Sequence, residues 1–104
     1  MNYLIQVLLP VRDNDGWLFP DDEYGRVRRE LSGRFGGLTA YTRVPAEGVW
    51  KPGRREPASR DDIVVFEVMA PDLDAAWWRG YRGELEARFR QDVVVVRALA
   101  MRLL

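Results

Sequence analysis

The sequence contains no cysteine and no histidine. The first absence removes disulfides, thiolate nucleophiles and thiolate-held zinc or iron–sulfur clusters. The second is more restrictive, because histidine is the commonest general base, the usual metal ligand and the usual pH switch. A Ser-His-Asp triad cannot be assembled. Any catalysis must use carboxylates, tyrosine, arginine or the single lysine, Lys51. A carboxylate-only site for a hard cation is allowed in principle. No motif asks for one, and neither a metal nor a cofactor is expected.

An excess of charge of one sign is also lacking. Sixteen basic residues balance sixteen acidic ones, so the overall charge gives no argument for nucleic acid or an anionic membrane. Long hydrophobic runs are missing too: none approaches the ~20 residues needed to span a bilayer. The opening MNYLIQVLLPVRD has a short apolar run, no basic segment before it and no small-residue cleavage site after it. It reads as a strand rather than a signal peptide. The expected location is the cytoplasm.

What is present suits one compact domain over residues 1–104. Tyr3 to Leu9 is apolar except for Gln6 and stops at Pro10, as a central strand would. Asp13-Asn14-Asp15-Gly16 is a turn cluster. It superficially resembles a calcium loop, but Tyr24 stands where the closing glutamate would be. Pro20-Asp21-Asp22-Glu23 marks a helix start, with Pro20 preset for the first turn and acids at the positive end of the dipole. Tyr24, Val27, Leu31 and Phe35 form its buried stripe, and Gly36-Gly37 ends it. Leu38 to Val44 alternates as a strand, with Thr39, Tyr41 and Arg43 on one face.

Residues 45–60, PAEGVWKPGRREPASR, form a loop of unusual length for a compact domain, which marks it as functional or mobile. Ile63 to Ala70 is a second buried strand, broken only by Glu67. Pro71-Asp72 opens a second helix, with Asp72 as N-cap. Its stripe runs Leu73, Trp77, Tyr81, Leu85, Phe89, widened by Ala76 and Trp78. Adjacent helical residues point about 100° apart, so at most one of Trp77 and Trp78 is deeply buried. Core packing accounts for Trp77 and Tyr81. Val93 to Leu104 is the last strand.

The order is β-α-β-β-α-β, an α+β ferredoxin-like arrangement. It places two helices on one face of a four-stranded antiparallel sheet, with the strands ordered fourth, first, third, second. The face away from the helices then carries Leu4, Leu8, Val65, Met69, Val95 and Leu99. A monomer rarely exposes such a patch, so a homodimer packed sheet to sheet is expected. The same face carries Gln6, Glu67 and Arg97 on three adjacent strands. Two readings compete. In one, Glu67 and Arg97 form a structural ion pair bridged by Gln6. In the other, an ionisable row in an apolar cleft is a ligand or catalytic site.

The candidate catalytic residues are Glu67, Arg97 and Tyr41, and the candidate ligand-binding residues are Gln6, Arg43, Trp50, Lys51 and Arg54. Lys51, Arg54, Arg55 and Arg60 around Trp50 could close over a small anionic ligand. The reading preferred is an exposed loop whose basic residues offset nearby acids, since runs of charge are usually solvated faces. RNA-recognition domains share the element order but stack bases on aromatics of the first and third strands. The positions here are Leu4, Gln6, Val65 and Glu67, so no nucleic acid is expected.

The runs LLPVRDNDG, ELSGRFGGLTAYTRVPAEGVW and DDIVVFEVMAPDLDAAWWRGYRGELEARFRQDVVVVRA resemble a family of small uncharacterised bacterial proteins of about this length. The likeness covers nearly the whole chain. Its most specific pieces are FGGLTAY, Gly48-Val49-Trp50 and Phe66-Glu67-Val68-Met69. The resemblance implies a ferredoxin-like fold, and it brings no catalytic residues.

Three functions fit these features. One is a dimeric binding or regulatory module with a small ligand held between the open sheet face and the 45–60 loop. Another is a cofactor-independent enzyme of the dimeric α+β barrel type. There Glu67 would be the acid or base, and Arg97 and Tyr41 would stabilise developing charge. The last is a protein–protein interaction subunit without a pocket.

Overall fold

A computed structural model describes residues 2–43 and 62–104. The elements run β1 (Asn2–Pro10), α1 (Asp21–Phe35), β2 (Thr39–Arg43), β3 (Ile63–Ala70), α2 (Ala75–Arg88) and β4 (Val95–Met101). The four strands form one antiparallel sheet in the order β2-β3-β1-β4. This is the expected ferredoxin-like topology. The most apolar strands, β1 and β3, take the two central places, where both edges are hydrogen-bonded.

The period-two alternation of the strands decides what each face meets. Ile5, Val7 and Leu9 of β1 and Phe66, Val68 and Ala70 of β3 point toward the helices and are buried. They join Val27 and Leu31 of α1 and Trp78, Tyr81 and Leu85 of α2 in one core, closed at one end by Phe19, Phe89 and Val94. Phe89 meets the Phe19 ring edge-on, with centroids 4.9 Å apart. Tyr24 and Phe35 complete the α1 stripe as half-buried residues packed on that core.

The helix ends follow local chemistry. Pro20 takes the N-cap position of α1, one residue outside the first turn where the sequence places it, and its ring satisfies no N–H. The acids Asp21, Asp22 and Glu23 fill the first turn instead, where the free N–H groups favour negative charge. Gly36 closes α1 with φ 79° and donates its N–H to the Ser32 carbonyl at 2.8 Å. A side chain is strained at that φ, which explains the glycine.

The α2 start differs from the sequence expectation. Asp74, not Asp72, is the N-cap, its carboxylate accepting from the Trp77 N–H at 3.1 Å. Leu73 consequently lies outside the helix and is exposed. The rest of the stripe, Tyr81, Leu85 and Phe89, is buried as expected, and only the choice of tryptophan differs. Trp78 is buried and Trp77 half-buried, the reverse of the expected choice. Both indoles are accommodated because Trp78 stacks on Phe35 while Trp77 stacks on Tyr81, with Arg34 lying 4.1 Å over the Trp77 ring.

The Asp13–Gly16 segment is a turn. The Asp13 carboxylate accepts the N–H groups of Asp15 and Trp17, and Gly16 adopts φ 90°. Its neighbour across the fold is the end of α2, where Asn14 donates to the Arg90 carbonyl and Arg90 pairs with Asp13. The strand bounds are shorter than the alternation alone suggests. Leu38 precedes β2, and Val93 precedes β4 and is exposed. Among the described residues no helix is long and apolar enough to cross a membrane, and no cluster of His, Cys, Asp or Glu could hold a metal ion.

Candidate functional site

The face of the sheet opposite the helices is organised in rows set by strand register. One row pairs Leu4 with Met69 on one side and Leu99 on the other. The next pairs Gln6 with Glu67 and Arg97, and continues from Glu67 to Thr39. A third pairs Leu8 with Val65 and Val95, and continues from Val65 to Tyr41. A polar row therefore lies between two apolar ones.

The polar row is continuously hydrogen-bonded. Arg97 Nε donates to Gln6 Oε1 at 2.7 Å. Gln6 Nε2 donates to Glu67 Oε2 at 2.6 Å. Tyr41, one register step away on β2, donates its hydroxyl to the same Glu67 oxygen at 3.0 Å. Glutamine suits the central position because its amide both donates and accepts. It offers its N–H to the carboxylate and its carbonyl to the guanidinium, and the reverse orientation would satisfy neither. Gln6 thus relays between two charges held on the strands either side of it, roughly 10 Å apart by strand spacing. Among the described residues Glu67 and Arg97 make no direct ion pair.

Each end of the relay keeps unspent hydrogen-bonding capacity. Both donors to Glu67 converge on Oε2, and Oε1 has no partner among the described residues. Arg97 uses Nε alone, and its terminal nitrogens have no partner among the described residues. Glu67 is half-buried, whereas Arg97 and Tyr41 are exposed. The apolar surroundings are also open: Met69, Val95 and Leu99 are exposed at 56%, 46% and 48%, while Val65 between Leu8 and Tyr41 is buried. A carboxylate with one free oxygen beside a phenol can accept a donor or exchange a proton. A guanidinium with a free fork can take an anion bidentately.

Of the residues singled out in the sequence, Gln6, Tyr41, Glu67 and Arg97 come together in this row. Arg43 is placed by its backbone, opposite Ile63 at the end of β2. Trp50, Lys51 and Arg54 lie outside the described residues, as does the rest of the 45–60 segment. The alternation of the strands brought out the row itself. The diagonal reach of Tyr41 to Glu67 was not visible, because it depends on the β2–β3 register.

A second polar network joins the helices on the far side of the sheet. Glu30 of α1 accepts Arg88 Nη1 and the Tyr81 hydroxyl on Oε1, at 2.7 and 2.8 Å. It accepts Arg88 Nη2 on Oε2 at 2.8 Å. Burial pushes the Glu30 carboxyl up, but the hydrogen bonds from Arg88 and Tyr81 and the nearby positive charges outweigh it. The group is held below the usual carboxylate range. Glu30 was not among the residues singled out in the sequence. Its partners are distant in the chain, and no local spacing announces them.

No protein-family model matches the sequence, and neither does any curated protein. Among solved structures, a phage SAM lyase in complex with S-methyl-5'-thioadenosine is similar, with a TM-score of 0.55 at 14% identity. The match covers 94% of this chain and 80% of that one. A likeness at this identity establishes the shared fold. Of the family resemblance seen in the sequence, the comparisons support the ferredoxin-like fold alone.

Proposed function

We propose that this protein is a small homodimeric ligand-binding or regulatory module whose site is the polar row of the open sheet face, beside the 45–60 segment. The observation that carries the reading is the hydrogen-bonded series Arg97–Gln6–Glu67–Tyr41 between apolar rows. It combines orientation-fixing polar groups with apolar walls, as small-molecule sites do. Exposed Met69, Val95 and Leu99 on the same face support dimerisation through it. Among the described residues the terminal nitrogens of Arg97 have no partner, which favours a ligand with an anionic group, and Glu67 Oε1 has none, which favours one that also carries a donor. Arg43, Trp50, Lys51 and Arg54 enter this reading through their chemistry and their place in the chain after Tyr41. The similar phage lyase was solved with a small molecule bound, which makes S-methyl-5'-thioadenosine a sensible first probe beside small carboxylates and phosphates.

A cofactor-independent enzyme is the second reading, and the Tyr41–Glu67 hydrogen bond favours it. A phenol donating to a carboxylate is a usable acid–base pair. Thermal-shift screening of wild type, Glu67→Gln and Tyr41→Phe tests the site. A compound that raises the wild-type melting temperature should lose most of its effect in both variants. An unchanged shift in Glu67→Gln would remove the site from this face. Consumption of the bound compound by wild type but not by Glu67→Gln would select the enzyme.

A further inference from the structure

The open face is self-complementary, and the complementarity selects one way of pairing two copies. β1 lies between β3 and β4. Across it, Glu67 stands opposite Arg97, Met69 opposite Leu99 and Val65 opposite Val95, each through a β1 residue. The carboxylate Oε1 on one side and the guanidinium nitrogens on the other have no partner among the described residues.

A two-fold dimer uses the same patch on both copies, so residue i meets j and j meets i. The axis of two facing sheets lies in the interface plane; for aligned strands and an axis through the polar row, it runs either along the strands or across them. An axis across the strands would set Glu67 against the partner's Glu67 and Arg97 against the partner's Arg97. Like charges placed together at an interface are strongly unfavourable. An axis along β1 exchanges left and right while keeping position along the strand. Each Glu67 then faces an arginine, each Met69 a leucine, and Leu4, Gln6 and Leu8 face their own counterparts. Facing sheets pack roughly 10 Å apart with nearly aligned strands, a gap that an extended arginine and a glutamate bridge from opposite sides.

We propose that two copies pack open face to open face about a two-fold axis along β1, so that Arg97 of each copy completes the site at Glu67 of the other. This rests on the homodimer of the proposed function and names its geometry. β2 has no counterpart beyond β4, so Tyr41 overhangs the edge of the second copy. Each dimer therefore has two sites at its rims, lined by Tyr41 and Glu67 of one copy and Arg97 of the other, where one terminal nitrogen of Arg97 meets Glu67 Oε1 and the second is left for a ligand's anionic group.

The test uses Glu67→Arg and Arg97→Glu, each alone and mixed in equal amounts. Light scattering and native mass spectrometry at micromolar concentration read the assembly, and circular dichroism checks the fold. Each variant alone should dimerise roughly tenfold or more weakly than wild type, and the mixture should recover a heterodimer of wild-type strength. Single variants that dimerise like wild type, or a mixture that recovers nothing, would overturn the axis. A monomeric wild type would instead overturn the dimer beneath it, a distinguishable result. If a charge variant does not fold, Leu4→Cys provides a second route, since the chain has no other cysteine. A bismaleimide should link two Leu4→Cys copies. Linkage confined to a mixture of Leu4→Cys and Leu8→Cys would assign the crossed axis and refute the proposal.

Discussion

Replacing Glu30 by glutamine keeps the shape of the side chain and removes its charge. In the native protein its two oxygens receive both terminal nitrogens of Arg88 and the Tyr81 hydroxyl, all within 2.8 Å. The glutamine would turn an N–H₂ group toward an arginine donor and lose one arm of the fork. Hydrogen bonds to charged groups contribute about 1.5–3 kcal/mol each. The Glu30 side chain is 32% exposed and that of Arg88 only 10%, so solvent screening reduces but does not erase this. The expected loss is about 2 kcal/mol. For a domain of this size that lowers the melting temperature by roughly 10 °C.

The pH dependence supplies the sharper check. The folded-state pKa of Glu30 lies below its ordinary 4.5. Its contribution is therefore present above that value and disappears as pH falls through the depressed pKa. Melting curves of wild type and Glu30→Gln by circular dichroism should differ at neutral pH and converge in strong acid. A gap that stays constant from neutrality into strong acid, or a gap of a few tenths of a kcal/mol at neutrality, would refute this account of the clamp.

Other outcomes follow from single positions. Gly36→Ala places a side chain at φ 79° and should cost about 1 kcal/mol by chemical denaturation, with the fold retained. Asp74→Ala removes the acceptor for the Trp77 N–H and should cost about 1 kcal/mol, whereas Asp72→Ala should be near neutral. Burial first, and then the charges of Asp21 and Glu23, push the Tyr24 phenol up to about 12 from 10.0. Wild type should therefore lose stability as pH rises from 10 toward 12, and Tyr24→Phe should lose less over that interval.

Much of the fold was readable because β1 and β3 are nearly continuous apolar runs and α1 carries a clean stripe ending at a glycine. The identity of the open face followed from alternation once the strand order was fixed. The α2 details were harder. Adjacent Trp77 and Trp78 leave open which indole is buried, and packing against Phe35 selects Trp78, while the cap falls at Asp74 rather than at the Asp72 read from the sequence. The Glu30–Arg88 clamp was invisible because its partners lie on different helices. The Gln6 relay sits between these extremes. Its three members were legible as a row, and their charges fix the orientation of the Gln6 amide, but the arrival of Tyr41 depends on the register of β2.

The central claim is that the open sheet face, not the helical face, is the working surface. Amide chemical-shift mapping on the isotope-labelled protein, titrated with a compound found in the thermal-shift screen, tests it most directly. The account predicts saturable shifts at Gln6, Thr39, Tyr41, Glu67 and Arg97, lost in Glu67→Gln. Shifts confined to α1 and α2, around Glu30, Tyr81 and Arg88, would contradict it.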